Sequence, residues 1–197
     1  IPTFQIRFLQ KQQLKMVAMV VAKIIGKADN NTFMHKVYPN LCPKCGYSTK
    51  VEINEYFRLN KRKYDVSATW DSFPIVSQKF KDFCEVEGFE NIDFVSFINE
   101  PNFYSYTINK IFRLDSARRN VVFNNFCDAC KRFEEIVGAV PSFIEEGFVI
   151  QENSFYRSEF EFGGFNRKFP LTIVSIDVAE KIKRQKFKGI YFKDVLL

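Results

Sequence analysis

The sequence predicts an α+β fold with mixed or antiparallel sheets and few helices. The 24 phenylalanines suit strand and core positions, because aromatic side chains bury a large apolar area. Residues 74–97 and 171–195 each have the pattern of a strand, a helix and a second strand. Two Cys-x-x-Cys pairs lie about 80 residues apart, which predicts a link between distant segments. These observations indicate two half repeats and one shared cysteine site.

The chain length of 197 residues is enough for one substantial hydrophobic core. We therefore expect a single compact unit over residues 1–197. Two lobes are the alternative, at about 1–130 with the first half repeat and at about 131–197 with the second. No low-complexity linker marks a boundary between them.

The net charge and the hydropathy limit the possible partners. The chain has 29 Lys and Arg against 23 Asp and Glu, a formal net charge of +6. This charge favours binding to nucleic acid, to an anionic membrane face or to an acidic protein, and it does not distinguish among these partners. The most apolar run, residues 16–25, is too short to span a bilayer and contains Lys23. We expect a strand or a short helix there, and no membrane association.

A hairpin is predicted between residues 51 and 70. Residues 51–59 and 64–70 resemble strands, and the polar segment 60–63 separates them. Such alternation of apolar and other residues is typical of a strand with one buried face. The alternating residues of the second strand are Tyr64, Val66, Ala68 and Trp70.

Three further segments have the composition of strands. Residues 103–114 are aromatic and apolar with polar interruptions, which suits a strand or a helix. Residues 143–150 and 158–165 predict strands. The pair Gly163-Gly164 then turns the chain before the second half repeat.

The two half repeats align without a gap when Val76-Ser77 is placed over Val174-Ser175. In the first copy the strand ends before Ser77, which can cap the helix that follows. The alternative is that unrelated strand-helix-strand segments share so loose a pattern. The aligned pairs are Ile75 with Ile173, Phe80 with Val178, Cys84 with Ile182, Phe89 with Phe187, Ile92 with Ile190, and Phe94 with Phe192.

The first cysteine pair, Cys42 and Cys45, lies in the segment LCPKCGY. Two thiolates with two residues between them can coordinate one metal ion. Pro43 presets the turn, and Gly46 permits the backbone conformation that points amide groups at the sulfurs. The segment is typical of a zinc knuckle.

The second pair, Cys127 and Cys130, is followed by Lys131 instead of glycine. Together the two pairs supply the four soft ligands of a closed tetrahedral site. Two alternatives compete, since each pair could be a redox centre or the cysteines could be buried thiols. The favoured prediction is a structural Zn²⁺ ion held by Cys42, Cys45, Cys127 and Cys130.

A site with four thiolates has no vacant position for water, so we expect it to stabilise the fold and not to catalyse. The nearby basic residues Lys44, Lys131 and Arg132 would offset its negative charge. The fifth cysteine, Cys84, lies at an apolar position of a predicted helix. We expect Cys84 to be a core residue and not a ligand.

The order of features along the chain is CPKCG, a first Ile-Val-Ser unit, a second Cys-x-x-Cys pair, and a closing Ile-Val-Ser unit at residues 172–194. This order resembles the double-CXXCG family of bacterial immunity proteins, which neutralise polymorphic toxins passed between neighbouring cells. The likeness covers most of residues 41–195, with Lys131 where the family has glycine. It implies a cytoplasmic, non-catalytic protein that binds a cognate toxin domain, and it does not identify the residues that contact the toxin.

A zinc-containing nucleic-acid-binding protein is the alternative function. Basic clusters can contact phosphates, and neighbouring Phe and Tyr can stack on bases. Such clusters are also ordinary on solvated surfaces, and no recognition motif surrounds these. The clusters are Arg58, Lys61, Arg62 and Lys63; Arg118 and Arg119; and Lys181, Lys183, Arg184, Lys186 and Lys188.

An enzyme is the third possibility, and we expect no enzymatic activity. His35 is the only histidine, and no nucleophile motif surrounds it. Carboxylates adjacent in sequence diverge on a helix or a strand, which suits a solvated face. The adjacent pairs are Glu134-Glu135 and Glu145-Glu146. Catalysis by carboxylates from distant positions stays open.

Overall fold

The computed structural model describes residues 21–29, 31, 40–49 and 53–196 of the chain. Within these ranges it has few helices and a mostly antiparallel sheet, which confirms the predicted α+β class. The strands are β1 (Val21–Ala28), β2 (Val66–Ala68), β3 (Pro74–Ser77), β4 (Ile92–Phe97), β5 (Glu100–Ile108), β6 (Ile111–Phe112), β7 (Val122–Cys127), β8 (Arg132–Val137), β9 (Ser142–Phe143), β10 (Phe155–Gly164), β11 (Phe169–Ser175) and β12 (Ile190–Leu196). The helices are α1 (Gln78–Val86), α2 (Ser116–Arg119) and α3 (Ile176–Arg184).

Strand β1 joins the two halves of the sheet, whose order is β4-β5-β3-β2-β1-β11-β10-β8-β7. The first part of β1 pairs with β11 on one side and with β12 on the other. Its last two residues, Lys27 and Ala28, pair in parallel with β2. Gly26 stands at this junction, where a Cβ atom would lie 2.6 Å from the backbone carbon of Ser67. The junction therefore requires glycine.

The two predicted half repeats form strand-helix-strand units. The first unit is β3-α1-β4, and the second is β11-α3-β12. Helices α1 and α3 each contain nine residues and begin directly after the aligned serines, Ser77 and Ser175. As predicted, the Ser77 hydroxyl caps α1, because it accepts a hydrogen bond from the Phe80 amide at 3.3 Å. The helix boundaries match the gap-free alignment.

The two units also share their connectivity and their turns. Strand β5 lies between β3 and β4 and is antiparallel to both, and β1 has the same place between β11 and β12. After the helices, Gly88 and Lys186 both have positive φ angles, as do Asn91 and Gly189. These four residues occupy aligned positions. Unrelated segments with a loose common pattern would not require this agreement.

The helices of both units pack into one hydrophobic cluster. The ring of Phe187 lies 5.2 Å from that of Phe80 and 5.3 Å from that of Phe83, between centroids. Full burial of such a side chain contributes about 1.5–3 kcal/mol. Cys84 is 1% exposed there, which confirms the prediction of a core residue, and burial raises the pKa of its thiol. The aligned core residues are Phe80, Cys84 and Phe89 of the first unit and Val178, Ile182 and Phe187 of the second.

The hairpin predicted between residues 51 and 70 is wrong. Residues 53–65 form no strand, and only the three residues of β2 follow them. Residues 51 and 52 lie outside the described ranges. Trp70, which completes the predicted alternation, lies beyond β2 and is 61% exposed.

Buried carboxylates from elsewhere bind the backbone of this loop in place of a strand ladder. Asp29 accepts hydrogen bonds from the amides of Asn60 and Lys61 at 3.1 and 2.8 Å. Glu100 accepts another from the amide of Leu59 at 2.9 Å. Because these bonds satisfy amides that a hairpin would use, the loop is stable without a partner strand.

The other strand predictions had different outcomes. Residues 103–114 form strands β5 and β6 and no helix, and the strand predicted over 158–165 is confirmed as part of β10. The strand predicted over 143–150 is wrong, because only its first residue belongs to β9. The amide of Phe148 bonds the Glu145 carbonyl at 3.1 Å, which closes a turn.

The apolar run 16–25 contributes its last five residues to β1. Its first five residues lie outside the described ranges. Among the described residues, no helix combines the length and the apolar character needed to cross a membrane.

Candidate metal centre

The structure brings the four predicted ligands together as Cys42, Cys45, Cys127 and Cys130, the four-cysteine cluster. Their sulfur atoms all lie within 4.8 Å of one another. The Sγ atoms of Cys42 and Cys127 are 4.0 Å apart, and those of Cys45 and Cys130 are 3.6 Å apart. Cys42 and Cys127 are buried, and the other two are half-buried. The cluster joins two loops that are distant in sequence.

The first pair is held by a tight loop that begins and ends with the paired residues Leu41 and Ser48. The Cys42 amide donates to the Tyr47 carbonyl at 2.9 Å, and the Gly46 amide donates to the Cys42 carbonyl at 2.8 Å. Gly46 has a φ of 72°, a left-handed conformation that glycine adopts without strain. The conformation expected of Gly46 is therefore confirmed.

The second pair occupies the tip of the hairpin formed by β7 and β8. The Lys131 amide donates to the Cys127 carbonyl at 2.8 Å, which is the bond that Gly46 makes in the first loop. Lys131 also has a left-handed φ, at 58°. This hairpin was not predicted from the sequence, because Asn125, with a φ of 51°, interrupts the alternation of β7.

The sulfur positions fit one tetrahedral metal ion and not two disulfides. Four sulfurs at about 2.3 Å from a central ion lie about 3.8 Å from one another. The two measured distances, 4.0 and 3.6 Å, lie on either side of that value. A disulfide requires about 2.05 Å. Neither pair begins a helix, as a thioredoxin-like redox centre would. The four cysteines can therefore hold a metal ion.

Backbone amides favour the ionised form of two of the cysteines. The amide of Cys45 donates to the Cys42 thiol and lowers the pKa of that group. The amide of Cys130 does the same at Cys127, whose pKa falls to about 7. Burial has the opposite effect at Cys45 and raises its pKa to about 12. A divalent cation would favour all four thiolates, because coordination deprotonates a thiol outright.

Charged side chains connect the two loops. Lys44 forms an ion pair with Asp128, so the centre of one Cys-x-x-Cys motif meets the centre of the other. Arg132 binds the Ser48 carbonyl at 3.4 Å and the Glu161 carboxylate at 3.2 Å. Two of the basic residues expected to offset the charge of the cluster are thus also paired with carboxylates. An exposed pair such as Lys44–Asp128 contributes at most about 1 kcal/mol.

Side chains from β8 and from the turn after β10 support the first loop. The Ser48 amide donates to the side-chain oxygen of Asn166 at 2.7 Å. A hydrogen bond to Glu134 raises the pKa of Tyr47 to about 12, and the Tyr47 ring lies 6.2 Å from that of Phe165. These supporting residues were not predicted, because no spacing in the sequence relates the segments that carry them.

We expect Lys131→Gly to raise the free energy of unfolding by about 0.5–1 kcal/mol. A residue with a Cβ in the left-handed conformation costs about 1–2 kcal/mol, and glycine removes that cost. Glycine also loses more backbone entropy on folding, which offsets about 0.5–1 kcal/mol of the gain. Chemical denaturation measures the difference. Lys131→Ala is the matched control, because it removes the same charge and keeps the Cβ. Equal stabilisation of the two variants would contradict the explanation by backbone strain.

Other candidates from the sequence lie outside the cluster. His35 falls outside the described ranges. The adjacent carboxylates Glu134 and Glu135 bind the side-chain amides of Asn125 and Asn124 at 2.8 and 2.9 Å. These bonds brace the β7–β8 hairpin, so the carboxylates have a structural role.

Many residues of the three basic clusters contact other parts of the protein. Arg62 pairs with Glu100, and Lys181 pairs with Glu87 at 3.1 Å. Part of the positive charge of these clusters is therefore neutralised by carboxylates of the protein itself. Further contacts join Arg118 to Phe143, Arg119 to Val140, Lys183 to Phe192, and Arg184 to Glu180.

A cleft of about 280 Å³ is lined by residues of β5, β10 and β11. The hydroxyls of Tyr106 and Thr172, which line it, bond each other at 2.9 Å. The Ser105 hydroxyl donates to the Pro74 carbonyl at 3.1 Å. These three hydroxyls therefore each have a hydrogen-bond partner within the protein.

Comparison of the sequence with protein-family models and with curated proteins finds no match. The functional conclusion therefore depends on the four-cysteine cluster and on the two matched strand-helix-strand units.

Proposed function

We propose that the protein is a non-catalytic, cytoplasmic immunity protein that binds and neutralises a cognate bacterial polymorphic toxin. The four-cysteine cluster carries this proposal. It unites two Cys-x-x-Cys motifs that are distant in sequence, as expected from the resemblance to the double-CXXCG immunity proteins. The cluster binds one structural ion, which makes a rigid scaffold for toxin binding.

Zinc is the metal that suits this donor set best. Zn²⁺ has no preferred geometry of its own and is bound in structural sites by four tetrahedral ligands, often all thiolates. The four cysteines would supply all four positions and leave none for a water molecule. The role of the ion is therefore to stabilise the two loops, and it supplies no reactive hydroxide.

The order of structural elements also supports the resemblance. A first Cys-x-x-Cys loop, a strand-helix-strand unit, a second Cys-x-x-Cys hairpin and a closing strand-helix-strand unit follow one another. Lys131 departs from the glycine of the family, yet it has the same left-handed conformation as Gly46. The departure in residue type is therefore not a departure in backbone conformation.

A nucleic-acid-binding protein is the second candidate, and its support is the basic clusters with their neighbouring Phe and Tyr residues. Arg62 and Lys181 are paired with carboxylates, so their charges are less available to phosphates. Phosphate binding of this kind weakens steeply as the salt concentration rises. A protein partner therefore suits these partly neutralised clusters better than a nucleic acid does.

The test is to co-express this chain with each secreted protein encoded beside it in its source genome whose domain inhibits growth when produced alone. We expect the wild-type protein to restore growth of cells that produce the toxin domain and to co-purify with it. Unchanged growth inhibition together with no complex between the purified proteins would overturn the immunity function. Binding of oligo(dT) or RNA that disappears at high salt, with no protein partner, would favour the second candidate.

A further inference from the structure

Lys168 is a buried lysine close to the four-cysteine cluster. It lies in the turn between β10 and β11, directly before β11 begins. Among the lysines and arginines whose side chains the structure describes, Lys168 is the only buried one, at 9% exposed. A charge removed from water is strongly destabilising unless an opposite charge compensates it. Lys168 therefore requires a negative group nearby.

Lys168 contacts both of the segments that carry the cysteines. Its ammonium donates a hydrogen bond to the Phe133 carbonyl in β8, the strand that follows Cys130. The same ammonium lies 5.5 Å from the centroid of the Tyr47 ring, in the loop that contains Cys45. The positive charge is thus held against the first cysteine loop and against the second cysteine hairpin at once.

The neighbouring carboxylates have other partners. Lys168 forms no ion pair with a carboxylate of the described residues. Glu161 acts on Lys168 at longer range, but it is paired with Arg132 at 3.2 Å. Glu134 also acts on Lys168, and its carboxylate accepts a hydrogen bond from Tyr47. Because Arg132 offsets Glu161, these carboxylates compensate the buried ammonium only in part.

The four-cysteine cluster is the second source of negative charge near Lys168. A divalent ion cancels only half of the charge of four thiolates, so the cluster stays negative when it holds the ion. Burial lowers the pKa of Lys168, whereas the thiolates of Cys45 and Cys130 favour its charged form. Of the basic residues expected to offset the cluster, Lys44 is paired with a carboxylate and Lys131 is exposed.

We propose that Lys168 is the buried counter-charge of the metal centre. Its ammonium stabilises the negative metal-thiolate cluster, and the cluster compensates the charge of the ammonium. A group outside the ligand set can tune metal affinity in this way without binding the ion. The inference rests on the metal site of the proposed function, and it adds a residue that no spacing in the sequence relates to the cysteines.

The alternative is that Lys168 acts only through its hydrogen bond to the Phe133 carbonyl, which ties the turn before β11 to β8. Two variants separate these roles. Lys168→Met removes both the charge and the donor, and it keeps a long unbranched side chain. Lys168→Gln removes the charge and keeps an amide donor. A counter-charge predicts the same loss of metal affinity in both variants.

The first measurement is the affinity for Zn²⁺, by competition with a chelator. We expect Lys168→Met and Lys168→Gln each to raise the Kd by about 10-fold to 100-fold. Lys131→Met is the matched control, because it makes the same substitution at an exposed lysine beside Cys130. We expect it to change the Kd by less than about threefold, since water screens an exposed charge. Equal affinity of Lys168→Met and the wild type would overturn the inference and leave the four-thiolate site standing.

The second measurement reports the charge itself, because a structural defect can also weaken metal binding. Co²⁺ replaces zinc, and the sulfur-to-cobalt charge-transfer band is recorded. Without the nearby positive charge the thiolate electrons move to the metal more easily, so we expect a shift to longer wavelength in both Lys168 variants. Cys84→Ala, a core change outside the cluster, is expected to leave the band in place. An unshifted band in Lys168→Met would assign Lys168 a structural role and overturn the counter-charge.

These outcomes are separable from the test of the immunity function. Wild-type protein that binds no metal would overturn the metal site and this inference together, whatever the growth assay shows. A shifted cobalt band together with no rescue of growth by the wild type would support the role of Lys168 and overturn the immunity function. Circular dichroism of every metal-loaded variant verifies that it is folded.

Discussion

Cys127→Ser is expected to abolish tight zinc binding and to lower the free energy of unfolding by about 4 kcal/mol or more. An ion that binds only the folded chain stabilises it by about 4.1 kcal/mol at 1,000 times its Kd, and structural zinc binds tightly. Serine cannot supply the thiolate that closes the tetrahedron, so the two loops lose their common centre. The measurements are the zinc content of protein purified without added metal and its denaturation by urea.

Cys84→Ala is the matched control, because it removes a buried thiol outside the cluster. We expect it to retain about one zinc ion per chain and to cost about 1 kcal/mol through lost packing. Wild-type protein without metal, or Cys127→Ser protein that retains its zinc, would contradict the four-thiolate site. The family resemblance would then lose its main structural support.

Gly189→Ala is expected to lower the free energy of unfolding by about 3 kcal/mol or more. Gly189 has a φ of 85°, and a Cβ would lie 2.4 Å from the carbonyl oxygen of Val66 in β2. The left-handed conformation alone costs alanine about 1–2 kcal/mol, and the clash adds to that cost. The turn cannot easily move away, because the Gly189 carbonyl accepts a hydrogen bond from the Lys27 amide at 2.8 Å. Urea denaturation measures the loss.

Gly147→Ala separates the two contributions. Gly147 has a similar φ of 80°, but no atom lies within 4 Å of the position that a Cβ would take. We expect this variant to lose only about 1–2 kcal/mol, from the conformation itself. If the two alanine variants lost equal stability, the close approach between Gly189 and β2 would have no energetic consequence.

Features that depend on neighbours within a few residues could be predicted from the sequence alone. Two thiolates in Cys-x-x-Cys spacing can share an ion, so Cys42 and Cys45 were recognisable as ligands. Helix periodicity and the capping by Ser77 act within one or two turns, so both strand-helix-strand units were found with their alignment. The sequence also predicted that the two cysteine motifs share one site. The distances between their sulfur atoms, which support that prediction, come from the structure.

Tertiary contacts decided the features whose partners are distant in sequence. Residues 53–65 are a loop because buried Asp29 and Glu100 bind their amides, and no local pattern reveals those partners. The β7–β8 hairpin escaped prediction because Asn125 breaks the alternation on which strand prediction depends. Trp70 is exposed because β2 ends before it. Local propensity is weak, and a bond to a buried charge from elsewhere in the chain is strong enough to override it.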